Sequence, residues 1–414
     1  MATPAERPSI EAGPCVALRL IRSRGLGPYF FGNAASASGT WFQNLAAAIF
    51  VYRLTHSAFL LGVLNFCNFV PVLVLAPWAG SAADRLDRRR LLIATQVVST
   101  LLGAALAAIA WAGLADEWVV IGFAAGLGVA SAFSAPASTA LVAQLVERDD
   151  LPSAVALNSM TFNIARAAGP ALAALSVKTL GIPASFAINA ASYLLFVIAL
   201  VLTQPRPQRL ASREETRLGE SLRMLNRQPR LVLFLLIVTA VGFASDPVNT
   251  EAPAFAHAFG RADTLAGPLI GFFGAGAVAA AFFLAGRVAG SRRRMTLTLS
   301  LLGFGIVGFA ISPWLPLAFG LLVVAGFGYL ASNTAATSRL QLEVEDAQRG
   351  RIMALWSVAF LGLRPFASLV DGAIAGAFGV RVAGVCLAIP ALAGATAVVV
   401  FGRKPLHSAT TASD

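Results

Sequence analysis

QPRPQRLASREETRLGESLRMLNRQPR, residues 204–230, is the longest polar stretch of the chain, and six long apolar runs lie on either side of it. A helix that crosses a bilayer needs about 20 mainly apolar residues. The runs fall at 27–52, 58–78, 91–113, 118–141, 153–176 and 183–203 before the stretch. After it they fall at 231–256, 264–286, 295–313, 315–337, 351–377 and 380–402. This pattern predicts an all-α membrane protein with twelve transmembrane helices in two pseudo-symmetric six-helix bundles. The expected parts are a cytoplasmic N-terminal tail (1–26), an N-terminal bundle (27–203), a cytoplasmic linker (204–230), a C-terminal bundle (231–402) and a C-terminal tail (403–414).

Composition points the same way. Of 414 residues, 57% are hydrophobic and 12% charged, with a mean hydropathy of +0.75. A soluble domain carries roughly 25% charged residues, so a soluble enzyme, a secreted scaffold and a nucleic-acid-binding domain are all excluded. The 37 glycines suit helices that approach closely in lipid. The opening MATPAERPSIEAGP is polar and Pro-containing, unlike a cleavable signal peptide, so insertion is expected to rely on the first span. Cys15, Cys67 and Cys386 match no metal or redox spacing, and no metal or cofactor is expected.

The Lys/Arg balance sets orientation. With both termini inside, the cytoplasmic segments hold 25 of the 31 basic residues, and the outer loops hold only Arg53, Lys178, Arg261 and Arg381. The net charge of +11 is therefore topological, with anionic lipid as its neighbour rather than nucleic acid. The expected location is the bacterial inner (cytoplasmic) membrane, multi-pass, as a monomer.

The halves also resemble each other. In a register shifted by 198, Ala156, Leu157, Ser159 and Arg166 meet Ala354, Leu355, Ser357 and Arg364. Gly80 with Arg88-Arg89-Arg90 parallels Gly286 with Arg292-Arg293-Arg294. Paired repeats with a site between them at mid-membrane are the plan of many secondary transporters.

GSAADRLDRRRLL, residues 80–92, resembles the loop motif of the major facilitator superfamily, Gly-x-x-x-Asp-Arg-x-Gly-Arg-Arg. Gly80, Asp84, Arg85, Arg88 and Arg89 match, and Asp87 stands where the family has Gly. The fourth-to-fifth-span region resembles the drug and siderophore exporter branch, where Gly169-Pro170 is similar to the fifth-span antiporter motif. Ala173 and Ala174 replace that motif's trailing glycines. The resemblance implies secondary active transport of an amphipathic small molecule (a drug, siderophore or metabolite), by proton-coupled efflux and alternating access. It also implies that the loop is a conformational latch in which Asp84 bonds across to the other half. Gly80 is expected to let helices approach there.

Ionisable groups at bilayer depth are costly and functional by default. Here they are Arg166, Asp246, Glu251, Arg364 and Asp371. At 1.5 Å of rise per residue, Asp246 lies about 22 Å and Arg364 about 20 Å into their spans. Glu251 and Asp371 fall near 30 Å, at the outer boundary where water is available. Asp246 and Arg364 can therefore pair, and each precedes a proline, Pro247 and Pro365, that breaks a helix hydrogen bond. Asn249 and Thr250 share the face of Asp246. Asp246, with Glu251 second, is the expected proton-coupling group, since gaining or losing an arginine partner switches a carboxyl's proton affinity. The plain alternative is an ion pair that only fixes two helices.

Arg166 has no acid at its depth, and Asn33, Gln43 and Asn44 are expected to solvate it in a substrate cavity shared with Trp41, Asn249 and Arg364. There Arg166 would engage an acidic group of the substrate; its alternative is a packing role. Trp41, Phe42, Phe66, Phe69, Phe243 and Phe360 offer an aromatic lining. His56, His257 and His407 are scattered and no phosphate-binding loop occurs, so neither an enzyme nor an ATP-driven pump is indicated. Uptake, a lipid or lysolipid flippase, and a receptor remain alternatives on the same fold.

Overall fold

The computed structural model describes residues 14–147, 149–206, 225, 228–284, 292–344 and 348–401. Most of the expected linker, the C-terminal tail and Gly286 lie outside these. Among the described residues all regular structure is helical. In chain order the helices are α1 (Pro14–Ile21), α2 (Leu26–Thr55), α3 (Ala58–Arg85), α4 (Arg88–Trp111), α5 (Glu117–Leu145), α6 (Leu151–Thr179) and α7 (Ile182–Leu202). There follow α8 (Pro229–Thr250), α9 (Ala252–Ala258), α10 (Ala266–Leu284), α11 (Arg292–Ile311), α12 (Leu315–Leu342), α13 (Arg349–Ser357), α14 (Arg364–Phe378) and α15 (Val380–Phe401).

Ten helical stretches among the described residues are long and apolar enough to cross a membrane. α2 and α6 are equally long but fall outside these ten. They interleave Asn33, Ser36, Thr40, Gln43 and Asn44, or Asn158, Ser159, Thr161 and Arg166, among their apolar residues. Large apolar side chains such as Leu101, Phe282, Phe283 and Phe304 are exposed, as lipid-facing positions are.

Several boundaries differ from expectation. The N-terminal tail contains α1, whose Arg19 pairs with Asp150 at 2.6 Å. α3, α5 and α12 run on to Arg85, Leu145 and Leu342, past the expected ends at 78, 141 and 337. Backbone hydrogen bonding does not stop where the apolar run stops, and long basic side chains can snorkel from such ends. The expected linker begins by tying back to α5: Arg206 donates to the Val146 carbonyl at 3.2 Å and pairs with Glu147 at 2.9 Å.

The chain forms two contact units, Met1–Leu54 with Cys67–Arg213, and Thr55–Phe66 with Glu214–Asp414. The first part of α3, to Phe66, thus belongs with the second unit. In the first unit α4 packs along α5 and α7. Gly169 lets α6 rest on α2, because a Cβ there would meet Trp41 Cβ at 2.8 Å and the Ser38 carbonyl at 3.1 Å. In the second unit α12 packs along α10 and α11, and α15 along α11 and α8. There α10 and α12 cross backbone to backbone: Gly326 faces the Phe273 carbonyl and Gly276 faces that of Val323.

Each unit closes its last long helix in the same way. Arg89 donates through Nε to Leu200 O at 2.7 Å and through its terminal nitrogen to Val201 O at 2.5 Å. Arg292 donates through Nε to Val398 O at 2.7 Å and through its terminal nitrogen to Val399 O. The last carbonyls of a helix have no intrahelical donor and carry partial negative charge, so a guanidinium is well placed there. Arg89→Ala and Arg292→Ala are each expected to cost about 1–3 kcal/mol, read as a fall of several degrees in Tm in detergent. An unchanged Tm for both would show that the carbonyls find other donors.

A buried carboxyl cluster as the candidate functional site

Two interruptions in the second unit shape the site. Pro247 sits inside its helix: α8 continues to Thr250, and the break comes at Glu251 (φ −97°, ψ 12°), whose N–H still reaches Pro247 O at 3.1 Å. The span that carries Arg364 is interrupted more sharply. Between α13 and α14 the residues Val358–Gly362 form a π-turn, closed by the Leu363 N–H on Val358 O at 3.1 Å. Pro365, with no N–H to return to the preceding turn, opens α14. The Thr239 hydroxyl donates to the Ala359 carbonyl at 3.0 Å, anchoring the turn to α8.

This geometry brings α14 onto the acid of α8. Asp246 is 1% exposed. Its Oδ2 accepts from the Thr250 hydroxyl at 3.0 Å and its Oδ1 from the Ser368 hydroxyl at 3.0 Å. Arg364 lies within electrostatic reach of the same carboxylate. Asn249, expected beside them, donates to its own helix at Ser245 O, 2.6 Å.

Glu251 and Asp371 depart from expectation. Both are 0% exposed, not at a watered boundary, and none of their four carboxylate oxygens has a hydrogen-bond partner among the described residues. Each lies within electrostatic range of Asp246, and they lie within range of each other. The first turns of α3 pack against α14 beside Asp371: a Cβ on Gly62 would strike the Ser368 carbonyl and meet Gly372 Cα at 3.0 Å. Phe66 packs edge-on against Phe366 at 6.0 Å. Ser368 and Asp371 are site residues that no motif or spacing in the sequence marks. The signal available was the equal estimated depth of Glu251 and Asp371.

In the first unit, Arg166 lies over the Trp41 ring at 5.6 Å, and Trp41 meets Phe162 edge-on at 6.0 Å. Nearby, Asn33 donates to Asn158 at 2.9 Å and buried Gln43 accepts from Asn189. Asn44 accepts from Asn68 at 3.4 Å. Among α2, α4, α5 and α7 lies a cavity of about 170 Å³ lined by Asn33, Ser36, Thr40, Gln96, Ser138 and Tyr193 among others. It carries hydroxyls and amides but no charge.

The 80–92 loop is also clarified. Asp87, the departure from the family motif, caps α4 by accepting from the Arg90 N–H at 2.8 Å, a role glycine cannot fill with a side chain. Arg88 donates to Ala83 O at 3.2 Å, while Asp84 and Arg85 are exposed. At Gly80 an added Cβ meets no described atom within 4 Å.

Comparison with known proteins places this architecture. The family model described as "Transmembrane secretion effector" matches residues 28–414. The staphyloferrin A transporter of Staphylococcus aureus is 27% identical, over 85% of this chain and 90% of its own. The multidrug efflux pump Tap of Mycobacterium tuberculosis is 26% identical, over 89% of this chain and 92% of its own. A bacterial homologue of the human lysosomal transporter Spinster, solved inward-facing and occupied, shares the fold with a TM-score of 0.72 at 15% identity, covering 91% of this chain and 96% of that one. A family model spanning nearly the whole chain, relatives aligned almost end to end and a shared helical fold agree that this multi-pass membrane protein is a transporter, not an enzyme, and belongs to the transmembrane secretion effector family of the major facilitator superfamily.

Proposed function

We propose that the protein exports an amphipathic small molecule in exchange for protons, by alternating access of twelve spans with both termini in the cytoplasm, in a bacterial cytoplasmic membrane and as a monomer. The observation that carries the reading is Asp246, withdrawn from solvent, held by two hydroxyls and facing Arg364. An acid so placed can exchange its proton only when the surrounding helices change their arrangement. Relatives named for a staphyloferrin and for multidrug efflux support a small-molecule cargo. In this reading Arg166, on its Trp41 platform, meets an acidic group of the cargo, and Asn33, Gln43, Asn44, Asn249 and Arg364 surround the path. Gly80, Asp84, Arg85, Arg88 and Arg89 form the latch. Gly169 and Pro170, with Pro247 and Pro365, set helix shape.

The test is a compound panel screened by thermal stabilisation, followed by counterflow of the best stabiliser in proteoliposomes with an imposed pH gradient. Flux is expected to follow the gradient and to collapse when an ionophore dissipates it. Flux indifferent to the gradient rejects proton coupling, and translocation of labelled phospholipid instead would favour a flippase.

A further inference from the structure

The mechanism above uses one carboxyl, but the second unit buries three. Asp246 is satisfied by Thr250, Ser368 and the field of Arg364. Glu251 and Asp371 have nothing comparable: both are 0% exposed, and all four oxygens lack a hydrogen-bond donor among the described residues. They sit on different elements, Glu251 at the break after α8 and Asp371 two turns beyond Arg364 on α14, yet each feels the other's charge and that of Asp246.

The charged groups described on the surrounding elements point elsewhere or lie apart, and Arg261, in the turn after α9, is exposed. Arg364 acts on Asp246. On α15, Arg381 is spent on the carbonyls of Ala310, Ser312 and Ala258 (2.8–3.3 Å) and on the Phe259 ring. His257 on α9 meets His56, in the turn before α3, ring to ring at 6.2 Å. Asp263, in the short 3-10 turn before α10, adds only negative charge. Arg230, Arg292 and Arg339 lie toward the opposite ends of α8, α11 and α12. Two dehydrated carboxylates with no donor among the described residues cannot both stay charged beside a third. No group of three or more ligating side chains among the described residues is placed to hold a metal ion, and a proton on each carboxyl neutralises the pair without any further partner.

We infer that Glu251 and Asp371 form a proton-holding pair beside Asp246, so that the second unit carries its exchangeable protons on three carboxyls rather than one. The inference rests on the proton-coupled reading and deepens it. Water reaching the pair in another arrangement of the helices would release what the buried arrangement holds, and the number of protons moved per cycle would exceed one.

Infrared spectroscopy of the purified full-length protein at neutral pH tests this without any transport assay, through the C=O stretch that only protonated carboxyls show. The band is expected in the wild type and in Asp246→Asn, reduced in Glu251→Gln and in Asp371→Asn, and absent from the triple variant. Both single variants keep side-chain volume and remove no hydrogen bond, so each is expected to keep its Tm. Where a variant yields no folded protein, a pH titration of the band in Asp246→Asn decides: persistence at neutral pH supports the pair, and its absence overturns it. A band unchanged by both single substitutions also overturns it. Band loss with gradient-driven flux intact would remove the pair but leave proton coupling standing, whereas a band in a protein whose flux ignores the gradient would do the reverse.

Discussion

Gly326→Leu is expected to leave no stable second helical unit. Gly326 on α12 faces the Phe273 carbonyl of α10 directly, and a Cβ there would also meet the Phe273 carbonyl carbon at 2.8 Å and the Ala277 nitrogen at 3.2 Å. These are backbone atoms, so no rotamer change relieves the clash and the two helices must separate. Gly276 sits in the mirrored position against the Val323 carbonyl, so separation forfeits both contacts and the C–H to carbonyl interactions between them. Overpacking of a well-filled core costs about 1–3 kcal/mol and more when backbone must move; here the upper end or beyond is expected. The measurement is the monodisperse fraction and Tm in detergent. Gly320→Leu on the same helix, where an added Cβ meets no described atom within 4 Å, serves as control and is expected to behave as wild type. Equal stability of the two variants would refute the crossing.

Asp246→Asn is the substitution expected to affect transport most. The amide keeps the shape of the carboxyl and can still accept from Thr250 or Ser368, so folding and ligand-induced thermal stabilisation are expected to persist. What it loses is the charge that Arg364 faces and the ability to take up and release a proton. Gradient-driven flux is expected to fall at least tenfold, with the remaining exchange of ligand for ligand across the membrane largely insensitive to pH. A variant with wild-type, pH-dependent flux would remove Asp246 from the coupling step. Loss of folding as well as flux would instead favour the plain structural pairing of α8 with α14.

The fold was legible because it rests on signals that survive without an alignment: apolar run length, the Lys/Arg asymmetry and the repeated Arg-rich loop. The repeat has a physical counterpart in Arg89 and Arg292, which clasp the ends of α7 and α15 alike. The site was only half legible. Asp246 and Arg364 stood out as charges at similar depth, but depth along a helix says nothing about azimuth. Ser368 reads as an ordinary small helix residue, and the depth of Asp371 along its span does not show that neighbouring helices withdraw it from solvent. The α8 break at Glu251, four residues after Pro247, was hidden for a related reason, since proline removes a donor without dictating where the chain turns. The Trp41 ring under Arg166 was equally illegible, since sequence spacing does not show which ring a guanidinium from another helix will cover.

The π-turn at Val358–Gly362 also fixes the phase of everything that follows it. Each helical residue turns the chain by about 100°, so deleting one residue there would swing Ser368 and Asp371 together by that angle, away from α8, with no charge altered. A single-codon indel in this stretch would therefore act like the loss of the hydroxyl and the acid at once. Among relatives, the length of this short segment is as informative about the site as the identity of the acids themselves.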